Sequence, residues 1–252
     1  MATPKTPHYK RVVLKISGES FSTPGVPGID PDELNTVARQ IADAANLGTE
    51  LAIVVGGGNI IRGAELASRL GIAQATADYM GMLGTVINAL ALKEVLEQQG
   101  QPARVMSALD VESVAEPFIR ARAIRHFEKG RVLILAAGTG NPFFTTDTCA
   151  SLRAIELGAE ILLKATKVDG VYSSDPSLDE SATLYDHITF ADAIGKQLGV
   201  MDLTALSMCM EHDLPVVIFN FKIDGNICKV VAGEPLGTVV SNSCDSPPVK
   251  TS

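Results

Sequence analysis

The chain has 252 residues, with 21 Lys and Arg against 29 Asp and Glu, a formal charge of −8. An acidic balance argues against general binding to nucleic acid or to an anionic membrane, since both need basic surface. With 46% hydrophobic and 20% charged residues the composition is globular, too apolar for disorder.

In chain order, five apolar runs each end in a Gly-rich or polar loop. Residues 12–16 run into Ser17-Gly18, 51–55 into Gly56-Gly57-Gly58, 132–135 into Gly138-Thr139-Gly140, 161–163 into Lys164-Ala165-Thr166-Lys167, and 216–219 into Asn220. Continuous β-branched runs without alternation predict strands covered on both faces, hence a mostly parallel sheet. Between them lie helical patterns. Asp30-Pro31-Asp32-Glu33 supplies a cap, a proline at the first helical position and a carboxylate three residues on. Leu34, Val37, Ala38, Ile41 and Ala45 then follow at helical spacing, and Gly48 stops the helix. Residues 82–96 are apolar on nearly all sides, as in a helix that is deeply buried or at a subunit interface. Thr189 and Asp192 start another helix.

The expectation is one α/β domain over 1–252, a three-layer α/β/α sandwich with a mostly parallel central sheet. Its core spans about 9–240, and a Ser/Pro-rich tail, 241–252, is expected to be disordered. The first ten residues hold no apolar core, so no signal peptide is expected. The longest uncharged runs, 79–92 and 132–146, fall short of the ~20 residues of a membrane helix. Cys149, Cys209, Cys228 and Cys244 form no CxxC pair, which suits a reduced, cytoplasmic protein.

The missing motifs narrow the chemistry. There is no G-x-x-x-x-G-K-[ST], no H-E-x-x-H and no G-x-S-x-G, and Ile61 stands where a dinucleotide fingerprint needs its third glycine. Gly56–Gly58 leads towards a helix with Arg62 about one turn in, an arrangement suited to phosphate. Lys15 ends the first strand, and it reads either as an edge lysine facing water or as a cation for the site. Lys164 and Lys167 read as rim cations or as a solvated loop. In Gly138-Thr139-Gly140-Asn141-Pro142-Phe143-Phe144-Thr145-Thr146-Asp147, glycines, hydroxyl and amide donors, aromatics and a carboxylate occur together. Such a segment suits contact with a phosphate or a base, or a capped helix start with its phenylalanines in the core. Asp78, Asp147, Asp175 and Asp202 are candidate carboxylates, though each taken alone reads first as a helix cap or a surface charge.

These segments resemble, in order, the bacterial-type UMP kinases (uridylate kinases) of the amino-acid kinase family. The carriers are Lys15-Ile16-Ser17-Gly18-Glu19, Gly56-Gly57-Gly58-Asn59 with Arg62, Asp78-Tyr79-Met80-Gly81-Met82, the 138–147 string, residues 164–172 and Val200-Met201-Asp202. The likeness covers about 9–240. It implies transfer of the ATP γ-phosphoryl group to UMP with Mg²⁺, in pyrimidine nucleotide synthesis in the cytoplasm. By the same resemblance Lys15, Arg62, Asp147 and Lys164 are catalytic. ATP contacts Lys15, Ile16, Ser17, Gly18, Gly58, Arg62, Thr166, Tyr172 and Asp175. UMP contacts Gly57, Asp78, Thr139, Gly140, Asn141, Pro142, Phe143, Phe144, Thr145 and Thr146. No protein metal ligand is implied, since Mg²⁺ travels with the ATP phosphates. A homohexamer, inhibition by UTP and, in many members, activation by GTP are implied too. Residues 23–28 lack the acidic residue found in GTP-activated relatives, and Lys93 and Glu97 replace their Arg and His, which weakens that last implication. Arg104 and Arg131 remain as anion contacts. Two alternatives stand beside this reading: a kinase of the same fold for a carboxylate or carbamate, and a non-catalytic nucleotide- or oxyanion-binding protein.

Overall fold

The structure, a computed structural model, describes residues 8–176, 178–179 and 181–243. Its centre is strand β1 (Arg11–Ile16), which pairs in parallel with β2 (Glu50–Val55) on one side and β6 (Ile161–Thr166) on the other. The remaining strands are β3 (Ala103–Ser107), β4 (Glu116–Pro117), β5 (Val132–Ala136), β7 (His187–Thr189), β8 (Val216–Asn220) and β9 (Thr238–Ser241). They form one nine-stranded sheet in the order β4-β3-β5-β2-β1-β6-β8-β9-β7. Every pairing is parallel except β8 with β9, so the sheet is mostly parallel, as its continuous apolar runs require. The chain moves outward from β1 in both directions. This creates a switch point at the carboxyl ends of β1, β2 and β6, where such sheets bind ligands.

Helices cover both faces. Helix α1 (Pro31–Ala45) starts at Asp30, whose Oδ1 accepts from the N–H groups of Asp32 and Glu33 at 2.9 and 3.2 Å. Glu33 does not complete a reciprocal box; its carboxylate meets Lys222 Nζ at 2.5 Å. Helix α3 (Gln74–Gln98) and the short α8 (Asn226–Val231) lie on the same side as α1. Helices α4 (Arg120–Phe127), α5 (Thr146–Leu157), α6 (Phe190–Gly195) and α7 (Leu203–Glu211) cover the other face. Helix α2 (Gly63–Leu70) follows the glycine loop and packs on α3. Alternation along β1 divides its side chains: Val12, Leu14 and Ile16 enter the core under α1 and α3, and Val13 enters the core under α5. Fully buried Leu14, Ile41, Leu51 and Leu92 each contribute roughly 1.5–3 kcal/mol. Lys15 shares the face of Val13, which directs it towards α5.

Helix α3 extends eight residues before the predicted run. By length and composition it could cross a bilayer, yet 44% of its most apolar window is buried inside the protein. It packs on α1, α2, β3 and β5 and exposes Tyr79, Leu83 and Ile87 at four-residue spacing. Ser241, assigned by composition to the tail, is the last residue of β9 and pairs with Thr189. Residues 244–252 of that tail, and Cys244 with them, lie outside the described residues.

Candidate active site

Lys15 and Lys164 are register partners on adjacent parallel strands, and both project towards α5. The edge-strand reading of Lys15 fails because β1 is the middle of the sheet and the residue is 9% exposed. Two neighbouring ammonium groups need a counter-charge, and Asp147 in the first turn of α5 supplies it. Its Oδ1 lies 2.8 Å from Lys15 Nζ and its Oδ2 lies 2.6 Å from Lys164 Nζ. Thr145 caps α5 by accepting from the N–H groups of Asp147 and Thr148, so the carboxylate sits at the positive end of the helix. Burial pushes the Asp147 carboxyl up, but Lys15 and Lys164 together outweigh it and hold the group below the usual carboxylate range. Burial also pulls the Lys164 ammonium below its ordinary value, against the opposing pull of Asp147. Lys164 Nζ further donates to the Val200 carbonyl at 2.6 Å.

The glycine run after β2 divides its tasks. A Cβ on Gly56 would meet Gly18 N at 2.6 Å, and one on Gly57 would meet Gly81 O at 2.6 Å, so both are demanded by close backbone packing. A Cβ on Gly58 would meet nothing, and Gly58 faces a cavity of about 810 Å³ with Arg62 and Lys167. Arg62 does not lie one turn inside a helix as expected. Residues 58–60 form a turn closed by the Ile60 and Ile61 N–H groups on Gly57 O, and Arg62 is the residue before α2. Its guanidinium meets Glu19 Oε1 at 2.6 Å, and Lys167 lies 4.0 Å from Glu19 Oε2. Glu19 thus stands between two exposed cations at the mouth of the cavity.

On the other side of the glycine run, Gly57, Asp78, Gly138, Thr139, Phe144 and Thr145 line a smaller cavity of about 160 Å³. Asp78 accepts from the Phe143 N–H at 2.8 Å and from Gln74 Nε2 at 2.7 Å. Phe143 is 75% exposed and Phe144 half-exposed, so neither is a core residue. Thr139 and Asn141 bond to one another across the loop. A third cavity, about 500 Å³, extends from Lys164 past Thr166 to Tyr172 and Asp175. The three cavities therefore share the carboxyl rim of the sheet, with the Lys15–Asp147–Lys164 cluster between its two halves.

A sequence profile of the amino acid kinase family matches residues 10–220. The chain belongs to the amino acid kinase family. Among solved structures it is similar to the UMP kinase from Bacillus anthracis, with 38% identity, a TM-score of 0.91, and 93% of this chain and 97% of that one covered. It is similar to the UMP kinase from Ureaplasma parvum at 38% identity, TM-score 0.88, covering 92% and 99%. The uridylate kinase from Archaeoglobus fulgidus matches at 28% identity and TM-score 0.70, covering 91% and 99%.

Within this amino acid kinase, Ile16 is the predicted contact that the geometry restricts most. Its side chain is fully buried under α1 and α3, so only its backbone can face a ligand. Ser17 and Gly18 turn the chain from β1 into the 3₁₀ segment Gly18–Phe21, against the glycine run. Three residues without an assigned role prove central. Asp202 accepts from Thr145 Oγ1 at 2.5 Å and from Thr148 Oγ1 at 3.0 Å, and caps α7 through Ala205 N–H, tying two helix starts together. Glu19 holds Arg62, and Thr85 holds the loop after β5. Asp202 was visible as an isolated carboxylate; Thr85, inside an apolar helix, carried no signal. Among the described residues no group of three or more His, Cys, Asp or Glu could hold a metal ion, and each Asp147 oxygen already faces an ammonium.

Proposed function

We propose that this chain is a UMP kinase, moving the γ-phosphoryl group of ATP to UMP to give UDP and ADP. The observation that carries the reading is the carboxylate-bridged pair Lys15 and Lys164, set between a glycine-lined acceptor cavity and a donor cavity. Near full-length similarity to two UMP kinases at 38% identity supports the acceptor.

The nucleophile is a UMP phosphate oxygen. With a second pKa near 6 it is ionised at neutral pH, so no strong general base is required. The difficulty is bringing two polyanions together and stabilising the charge that spreads over the transferred group, which positioned cations and dipoles accomplish. Lys15, Lys164 and Arg62 are those cations. Asp147 orients both lysines without taking a proton, since they hold it ionised. The donor lies along Ser17, Gly18 and Gly58 at its phosphates and along Thr166, Tyr172 and Asp175 at its nucleoside end. The acceptor lies in the cavity of Gly57, Asp78 and residues 139–146. Asp78 receives a ribose hydroxyl on its remaining lone pairs, and the loop reads the uracil. Mg²⁺, carried in on the donor's phosphates, would offset part of their charge, which suits a site whose carboxylate is already paired.

The exposed stripe of Tyr79, Leu83 and Ile87 on α3 supports a contact between subunits, in keeping with a homohexamer. UTP acts as a feedback inhibitor in a cytoplasmic pathway to UTP and CTP. GTP is a weak effector here. Glu97 pairs with Lys93 at 2.7 Å and with Arg104 at 3.1 Å, so two of the three cations open to a guanine nucleotide already carry a counter-charge, while Arg131 meets the His126 ring at 3.0 Å. A coupled ADP-release assay with ATP and Mg²⁺ tests the reading, comparing UMP, CMP, dUMP, aspartate, carbamate and no acceptor, with and without UTP. Selective turnover of UMP is the expected result. Turnover of a carboxylate or carbamate instead, or of nothing, overturns it.

A further inference from the structure

Two residues of the acceptor loop other than glycine have left-handed backbone: Ala137 at φ 62° and Phe143 at φ 71°. Each costs about 1–3 kcal/mol and persists only where its surroundings hold it. Both are held through their N–H groups by side chains of α3. Phe143 N–H donates to Asp78 Oδ2 at 2.8 Å, and Ala137 N–H donates to Thr85 Oγ1 at 2.6 Å. Positions 78 and 85 are seven residues apart, two turns along one face of the helix. The Thr85 hydroxyl donates in turn to the Met82 carbonyl at 2.7 Å, which fixes its direction. Thr85 and Ala137 are both buried, and a Cβ on Gly57 would come within 2.9 Å of Thr85 N, so neither water nor a shift of the helix readily replaces the bond. Ala137 O then accepts from Gly140 N–H, closing the turn that presents Thr139 and Asn141.

We infer that Thr85 is a positioning residue for acceptor recognition: its hydroxyl locks the start of the 137–146 loop in the strained conformation that reads the nucleotide, as Asp78 locks its far end. The inference rests on the UMP kinase reading for its kinetic arm but not for its structural arm. Thr85 lines the acceptor cavity, but its hydroxyl is taken up by the Met82 carbonyl and the Ala137 N–H, so its removal acts on acceptor binding through the loop rather than on phosphoryl transfer.

The test uses Thr85→Val, which keeps shape and deletes the hydroxyl, and Thr85→Ser, which keeps the hydroxyl. In Thr85→Val a buried N–H is left without its acceptor, and the expected result is a rise of about tenfold or more in the KM for UMP. The KM for ATP should stay within about twofold and kcat within about threefold, and Thr85→Ser should behave like wild type. Hydrogen exchange of a peptide spanning 132–146, measured without nucleotide, should speed up in Thr85→Val and not in Thr85→Ser. An unchanged KM for UMP, equal losses for both substrates, or a Thr85→Ser protein as impaired as Thr85→Val would overturn the inference. Should Thr85→Val not fold, Thr85→Ala carries the same comparison. If wild type does not phosphorylate UMP, the function reading fails, while unaltered exchange in Thr85→Val would independently remove the lock.

Discussion

Replacing Asp147 with Asn keeps the shape of the side chain and removes the negative charge that both Lys15 and Lys164 contact. Touching one carboxylate from either side, the two ammonium groups stand roughly 5–7 Å apart, where at an effective dielectric near 20 their repulsion is about 2–3 kcal/mol. The substitution also breaks two largely buried ion pairs and turns an amide N–H towards an ammonium. Breaking a buried pair costs about 3–5 kcal/mol, and the upper part of that range fits here. For a domain of this size the melting temperature should fall by on the order of 10 °C. The loss depends on pH in a defined direction. Asp147 titrates below its unfolded value, so its stabilisation is complete above the usual carboxylate range and disappears as pH falls through the lowered folded value. Wild type and Asp147→Asn should therefore differ most near neutrality and converge in strong acid. Adding Lys164→Met to Asp147→Asn removes one of the repelling charges; it should restore part of the stability and none of the activity. Calorimetric melting across pH measures all of this. A melting temperature for Asp147→Asn within about 2 °C of wild type at pH 7 would refute the bridging role.

Three further expectations can be checked kinetically. Lys15→Ala should lower kcat by on the order of 10²–10³ and leave the fold intact, because Asp147 keeps Lys164; near wild-type turnover would remove Lys15 from the mechanism. Asp78→Asn should raise the KM for UMP more than that for ATP, and a change confined to ATP would move the acceptor to another cavity. The alkaline limb of kcat should fall below the ordinary lysine value, since burial lowers Lys164, and Lys164→Arg should move that limb upward; an unmoved limb would assign it to another group.

The five buried strands at the centre of the sheet were legible because residues such as 12–16 and 51–55 are apolar without interruption. Strand β3 was not, since Arg104 breaks its pattern, and β7 and β9 at the sheet's antiparallel edge are too short to show one. Strand β6 continues three residues beyond its apolar run because Lys164 finds Asp147 and Thr166 bonds the Phe219 carbonyl, facts of tertiary geometry. At the site, the residue types were legible and the pairings were not. Lys15 and Lys164 are neighbours only through strand register, and Thr145 serves Asp202 only because α7 starts beside α5. Gly56 and Gly58 looked alike in sequence, yet one is required by packing and the other leaves room for a ligand.

The placement of β1 also bears on how the enzyme is made. Among the described residues the strand nearest the amino end, β1, is the middle of the sheet, and one of its two edges waits for β6, more than half the chain later. Until then the Val12-Val13-Leu14 edge is an unpaired template of the kind that recruits other chains. Closing so distant a pair is slow, because loop entropy must be overcome before the contacts form. A nascent chain that ends before residue 161 lacks Lys164 as well as the second partner of β1, so the lysine that completes the buried cluster and the cover for that open edge arrive on one strand.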